Sequence, residues 1–410
     1  MQKIGLLPKI IAAIALGLLL GKILPLPCVR VFATFNYLFG QFLAFIIPLV
    51  IIGLVVPAIG DIGRSAGRLL VATVAIAYLD TLLAGLLAYG TGELLFPNLI
   101  TSAMGRRAAG GPEDITPFFK INIPAMCDVM SALVFAFLVG LGIAYGKKAE
   151  TLKKVAQEFR GLVEKALAKA IIPLLPVYIF GIFLMMTANG NVFGMLYTFA
   201  KVIAVIFALH VVILAYQFAV AGALARRNPL KLLWTMLPAY MTALGTSSSA
   251  ATIPVTLAQT KKNGVSDEIA GFTVPLCATI HLSGSTMKIT ACALALCMIK
   301  GVPHGFPLFL EFVAMLGVMM VAAPGVPGGA IMAALAPLGA ILGFTSDDQA
   351  FMIALYIAMD SFGTACNVTG DGAIAIAVQK LFAPSSRGTP PRKGKFRIME
   401  TTMTTDKNNS

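Results

Sequence analysis

The sequence predicts an all-α polytopic membrane protein, and three observations carry that prediction. Of 410 residues, 58% are apolar and only 12% charged, whereas soluble domains sit near half and a quarter. Mean hydropathy is +0.88. The apolar residues gather in runs of about 20 or more, the length a helix needs to satisfy its own backbone across a bilayer. Together the runs suffice for eight or more spans, with little left for a soluble domain. A cytosolic or secreted enzyme, a nucleic-acid binder and a disordered scaffold are excluded.

In chain order the runs fall at about 4–25, 31–58, 69–96, 129–146, 170–188, 196–225, 269–299, 307–345 and 349–382. The first begins with a Lys-bearing segment, and Pro25–Arg30 offers no small-residue cleavage site, so it reads as a retained helix. Two connectors are longer: Asn98–Lys120, with Gly110, Gly111 and Pro112, and the amphipathic Lys147–Lys169. From Ala383 onward the apolar content drops and the basic tail reads as disordered. The six cysteines (Cys28, Cys127, Cys277, Cys292, Cys297, Cys366) show no metal-ligand spacing and read as small packing residues.

The net charge of +13 is distributed as membrane topology requires. With the N-terminus cytoplasmic, 23 Lys and Arg fall inside and 7 outside, leaving Lys288 within a span. The count requires 231–262 and 307–345 each to enter and leave on one side. Residues 245–256 (Gly-Thr-Ser-Ser-Ser-Ala-Ala-Thr-Ile-Pro-Val-Thr) and 324–330 (Pro-Gly-Val-Pro-Gly-Gly-Ala) interrupt those same stretches with helix-breaking residues. Such backbone is tolerated at membrane depth only where it is buried in protein or lines a cavity. A matched pair of interruptions points to a transporter binding site between repeats.

Ionisable residues inside spans are costly and mark function by default. Asp80, Asp360 and Asp371 lie well inside apolar runs. Asp360, Thr364, Asn367 and Asp371 follow an i, i+4, i+7, i+11 spacing, which keeps them within about 60° on one helix face. Their oxygens suit a hard monovalent cation and a substrate ammonium. Upstream, the run from Ile280 through His281, Ser283, Gly284 and Ser285 to Lys288 predicts an unwound turn at the glycine. His281 reads either as a proton-linked group or as an ordinary buried polar residue. Trp234, His210 and His304 read as interfacial or structural. The chain has no Ser-His-Asp order beyond chance, no HExxH and no phosphate-binding loop, so no enzyme is expected.

These residues resemble the dicarboxylate/amino acid:cation symporter family, the glutamate-transporter homologues, across roughly residues 1–382. Ser247–Pro254 resembles the Ser-rich tip of a first re-entrant hairpin, Gly325–Ala330 the tip of a second, and Asn367-Val368-Thr369-Gly370-Asp371 the signature of the last helix. The resemblance implies eight transmembrane helices plus two re-entrant hairpins, built as inverted repeats, in a homotrimer of the plasma (inner) membrane with both termini cytoplasmic. It implies scaffold helices in 1–68 and 97–195, a transport domain made of 69–96 and 196–382, and a tail over 383–410. Asp360 would take the substrate ammonium and Asn367 the carboxylate. Ser248, Ser249, Val326 and Gly329 would contribute from the hairpin tips, and Thr364 would line the pocket. Na+ would be held by Asp371, Asn367 and the carbonyls of Cys277 and His281, by the carbonyl of Thr279 with those near Val321 and Ala323, and by Tyr78 and Thr81. Membrane lipid and a small amino acid or dicarboxylate are the implied partners, with no nucleic acid and no organic cofactor.

Two departures from the family's motifs bear on the cation sites and the substrate. The seventh-span Asn-Met-Asp-Gly-Thr motif reads His281-Leu282-Ser283-Gly284-Ser285 here, so an acidic cation ligand is a serine. The last-helix arginine that holds an acidic side chain is Gly363, which removes bidentate carboxylate recognition. The Asp-Ser-Phe-Gly-Thr-Ala-Cys-Asn run at 360–367 and the shortened Gly-Gly tip of the second hairpin resemble the family's serine/threonine branch, and both imply a small neutral amino acid. Against this, Lys288 replaces an aromatic residue while Tyr356 replaces an aspartate. Lys288 could anchor a carboxylate of an acidic substrate, pair with Asp80, or stand in for a lost cation, and coupling to H+ instead of Na+ is the alternative.

Overall fold

The computed structural model describes residues 6–61, 68–100, 115–127, 129–146, 149–190, 192–323 and 327–382. Val326, the 101–114 part of the long connector and the tail from Ala383 lie outside the described residues. The described chain is all-helical, with no strand. Among the described residues, five helices are long and apolar enough to cross a bilayer: Leu26–Gly60, Arg68–Leu99, Glu150–Ala188, Leu196–Ala225 and Asp267–Lys300. A bent pair, Ser346–Ala358 and Asp360–Phe382, makes a sixth.

The first half builds one layer. α1 (Leu6–Leu20) lies on α6 (Ile172–Ala188), and α2 (Leu26–Asp61) packs on α4 (Val129–Tyr145), α5 (Glu150–Ala166) and α6. The amphipathic 150–166 segment is more than a connector, because a π-helical turn at Leu167–Ile171 carries it straight into α6. The resulting column, Glu150–Ala188, is 39 residues long. Pro173 and Pro176 lack amide protons, and a widened turn just before them leaves room for their rings. Residues 115–127 form an irregular strap on α2, where Arg30 Nε donates to Thr116 O at 3.1 Å and Phe118 N donates to Thr34 Oγ1 at 2.9 Å.

The second half wraps two nearly enclosed helices, α12 (Ser283–Lys300) and α16 (Asp360–Phe382). Around them pack α3 (Arg68–Leu99), α7 (Val192–Ala225), α9 (Leu237–Thr246), α10 (Ser249–Lys262) and α11 (Asp267–Ile280). The short α8 (Pro229–Thr235) is capped by the Asn228 side chain and leads into α9. The 34 residues from Asp267 to Lys300 have 94% of their most apolar window buried, against 33% for α3. That sheath of protein explains how α12 carries Ser283, Ser285, Thr286, Lys288 and Thr290 at membrane depth.

Both interrupted stretches break where the sequence says they must. α9 ends on Ser247 at φ 49° and α10 starts from Ser248, whose side chain caps the Ala251 amide at 3.3 Å. α13 (Phe306–Ala322) ends before the prolines, and α14 (Gly329–Ala340) starts after Gly328 at φ 76°, a conformation open to glycine. Two details depart from expectation. The last run is not one straight span, because α15 (Ser346–Ala358) meets α16 at 65° across Met359. The unwound turn upstream falls at His281–Leu282 rather than at Gly284. Gly284 sits inside α12 at a close crossing with α16, where a Cβ would come 2.7 Å from Cys366 Cβ and 2.8 Å from Gly363 O.

Candidate functional site

Two buried ion clusters flank the α12–α16 crossing. In the first, the helix break projects the fully buried His281 ring between two carboxylates. Its Nε2 lies 2.7 Å from Asp80 Oδ2 and its Nδ1 2.9 Å from Asp371 Oδ1. A neutral imidazole has one N–H and cannot donate to both. The triad therefore holds one proton more than two carboxylates and a neutral ring, and a histidinium between two aspartates is the simplest form. Asp80 also accepts from Tyr216 Oη and from Gln217 Nε2, the latter at 2.7 Å. Gln217 reaches on to Ser283 Oγ at 3.2 Å. Tyr216 and Gln217 were not among the sequence candidates, although a glutamine inside the 196–225 apolar run is a readable signal.

The second cluster centres on Asp360, the first residue of α16. Its Oδ2 accepts from the Gly328 amide at 2.8 Å, which ties α16 to the start of α14. Its Oδ1 is 3.9 Å from Lys288 Nζ, and both side chains are buried. Lys288 donates to Met359 O at 3.1 Å and lies 3.9 Å from the centroid of the Tyr356 ring. The lysine stem crosses Gly363 so closely that a Cβ there would collide with Nζ and Cε. Lys288 thus takes the space a side chain at 363 would fill. It pairs with Asp360 and not with Asp80, whose carboxylate is held by His281, Tyr216 and Gln217, so the Asp80 alternative is set aside.

Between the clusters, Asn367 caps α12 from outside. Its Oδ1 accepts the amides of Gly284 and Ser285 at 2.8 and 3.3 Å, and its Nδ2 donates to Ser285 Oγ at 3.1 Å. Leu282, the capping position of α12 itself, supplies no side-chain oxygen, so the cap comes from α16. Tyr356 Oη and Ser285 Oγ lie 2.9 Å apart. Thr364 is buried in α16 on the helix face of Asn367, and Ser249 and Gly329 are buried at the starts of α10 and α14. Ser247 Oγ contacts Ser361 Oγ at 2.6 Å, which brings the start of α10 next to α16.

The candidate cation ligands divide. Asp371 Oδ2 is a buried acceptor without a hydrogen-bond partner, and so is Thr81 Oγ1, which fits a hard cation. Asn367 Oδ1 already accepts two amides and has no lone pair to spare. The Cys277 carbonyl accepts the His281 amide at 2.9 Å, and Tyr78 Oη donates to Ala314 O at 3.1 Å. Thr279, Val321 and Ala323 line one cavity of about 190 Å³, but Arg160 lines it too. Among the five ionisable groups of the two clusters, three acids face two bases.

Comparison with known proteins finds relatives along nearly the whole chain. Serine/threonine transporter SstT of Acinetobacter baumannii strain ATCC 17978 is 27% identical over 396 residues, covering 92% of this chain and 97% of the relative. The same transporter from strain SDF is 28% identical over the same span. The family model described as the sodium:dicarboxylate symporter family matches residues 6–381. This chain is therefore a multi-pass membrane transport protein, not an enzyme, and it belongs to the sodium:dicarboxylate symporter family.

Proposed function

We propose that the chain is a Na+-coupled symporter that takes up a small neutral α-amino acid of the serine, threonine or alanine type. The observation that carries this reading is the occupancy of the Gly363 position. No guanidinium stands there, and the Lys288 stem fills the space in which a longer substrate side chain would need an anchor. The name of the SstT relatives supports the same substrate class. Asp360 takes the substrate ammonium. Ser248, Ser249, Val326 and Gly329 contribute backbone from the two breaks, where helix N-termini favour a carboxylate. Thr364 and the free amide N–H of Asn367 complete the pocket.

The reading includes an elevator motion in a homotrimer with eight spans and two re-entrant hairpins. Segments 1–68 and 97–195 form the scaffold, and 69–96 with 196–382 form the moving part. Both termini face the cytoplasm. Three acids against two bases leave one uncompensated negative charge, which supports a single coupled Na+ at Asp371 Oδ2. The test is uptake of labelled L-serine into proteoliposomes under an inward sodium gradient, with excess L-aspartate as competitor. Uptake driven by sodium and indifferent to aspartate is the expected result. Strong inhibition by aspartate moves the reading to an acidic substrate anchored by Lys288.

A second reading has its own observation. The proton shared by Asp80, His281 and Asp371 sits beside a cavity of about 250 Å³ lined by Asp80, Tyr216 and Gln217, so H+ could replace Na+ as the coupled ion. Serine accumulation driven by a pH gradient in sodium-free vesicles separates the two.

A further inference from the structure

Lys288 is a buried cation whose hydrogen-bonding capacity is barely used. An ammonium has three N–H donors, and Met359 O is the acceptor within hydrogen-bonding reach, at 3.1 Å. Its ion partner, Asp360 Oδ1, is 3.9 Å away, where a charge-assisted hydrogen bond would sit at about 2.8 Å. Tyr356 presents its ring face to the ammonium. The pair is therefore enclosed and charge-compensated yet loosely made. On the other side of the pair, Asp360 Oδ2 is held by the Gly328 amide, and the carboxylate also interacts with the Tyr356 hydroxyl. No side chain at Gly363 stands in the way of the lysine stem.

We infer that Lys288 is the resident counter-ion of Asp360, which the two charged ends of a zwitterionic substrate displace and replace. This rests on the reading that Asp360 receives a substrate ammonium. In the empty carrier the Lys288–Asp360 pair is neutral. When an α-amino acid enters, its ammonium takes Asp360 Oδ1, and its α-carboxylate, held by the helix N-termini and the Asn367 amide, compensates the charge of the Lys288 ammonium, so the pocket stays neutral. An acidic amino acid would bring a negative charge with no partner, which makes neutral α-amino acids the substrate class. The pair also fits the empty carrier for its return across the membrane. A lone buried Asp360 would oppose that step, because a charge at membrane depth is costly unless paired.

The experiment compares two transport modes of the full chain in proteoliposomes, with labelled L-serine at saturating concentration. Net uptake enters serine-free vesicles under a sodium gradient and requires the empty carrier to return. Exchange enters vesicles preloaded with unlabelled L-serine and does not. Taking the ratio of the two modes cancels the amount of folded protein. Lys288→Met is expected to weaken exchange but to lower net uptake at least tenfold further, and Lys288→Arg to keep the parental ratio. An unchanged ratio in Lys288→Met, loss of both modes together, or the same shift in Lys288→Arg overturns the inference. If the unmodified chain transports neither serine, threonine nor alanine, the functional reading itself falls and takes the inference with it.

Discussion

Replacing His281 by Asn removes the cation between Asp80 and Asp371. At 2.7 and 2.9 Å, each contact corresponds to about 6 kcal/mol of Coulomb attraction at an effective dielectric constant of 20. Most of that is offset by the cost of desolvating the three groups. Removal of one partner from a buried ion pair costs about 3–5 kcal/mol, because the other charge is left uncompensated. For a chain of this size, at roughly 2 °C per kcal/mol, the Tm in sodium-free buffer should fall by about 6–10 °C. The buried clusters would then hold three acids against Lys288 alone, so the variant should bind external cations more strongly than the parent does. Sodium at a hundred times its Kd would return about 2.7 kcal/mol, or roughly 5 °C. The assay is thermal unfolding of detergent-purified protein in choline chloride and in sodium chloride. A variant within 2 °C of the parent without sodium, and no more responsive to it, would refute the charge argument.

Gly363→Ala pushes a methyl group into the Lys288 ammonium. Helix propensity gains about 1 kcal/mol and overpacking costs about 1–3 kcal/mol, so Tm should change little while the KM for serine uptake rises several-fold. Gly328→Ala meets only the Ile357 side chain, at 3.9 and 4.0 Å, but holds φ 76°. It should cost about 1–2 kcal/mol through backbone strain, read as a lower Tm. Asp371→Asn should abolish sodium stimulation of uptake, and undiminished stimulation would remove Asp371 from the cation site. Tyr216→Phe deletes a hydrogen bond to the Asp80 carboxylate and should destabilise by about 1.5–3 kcal/mol, measured against the Tm of the parent.

What the sequence determined by itself is whatever depends on local chemistry. Runs of apolar residues must become helices in a bilayer because each backbone group needs an internal partner. That requirement placed the long helices and both interruptions, at Ser247–Ser248 and before Gly328. The costliness of buried charge singled out Asp80, Asp360, Asp371 and Lys288 before any neighbour was known. The partners of those charges belong to the tertiary structure. Asp80 and His281 are 201 residues apart in the chain, and Lys288 and Met359 are 71 apart, and no periodicity relates such positions. The helix break fell at His281 and not at Gly284, because that glycine is needed for close packing of α12 against α16. The Asn367 side chain, whose partners the sequence did not reveal, caps α12 by accepting the amides of Gly284 and Ser285. Sequence states which groups must be compensated, whereas only the packing of α3, α7, α12 and α16 states by what, since compensation is a matter of ångströms between segments distant in the chain.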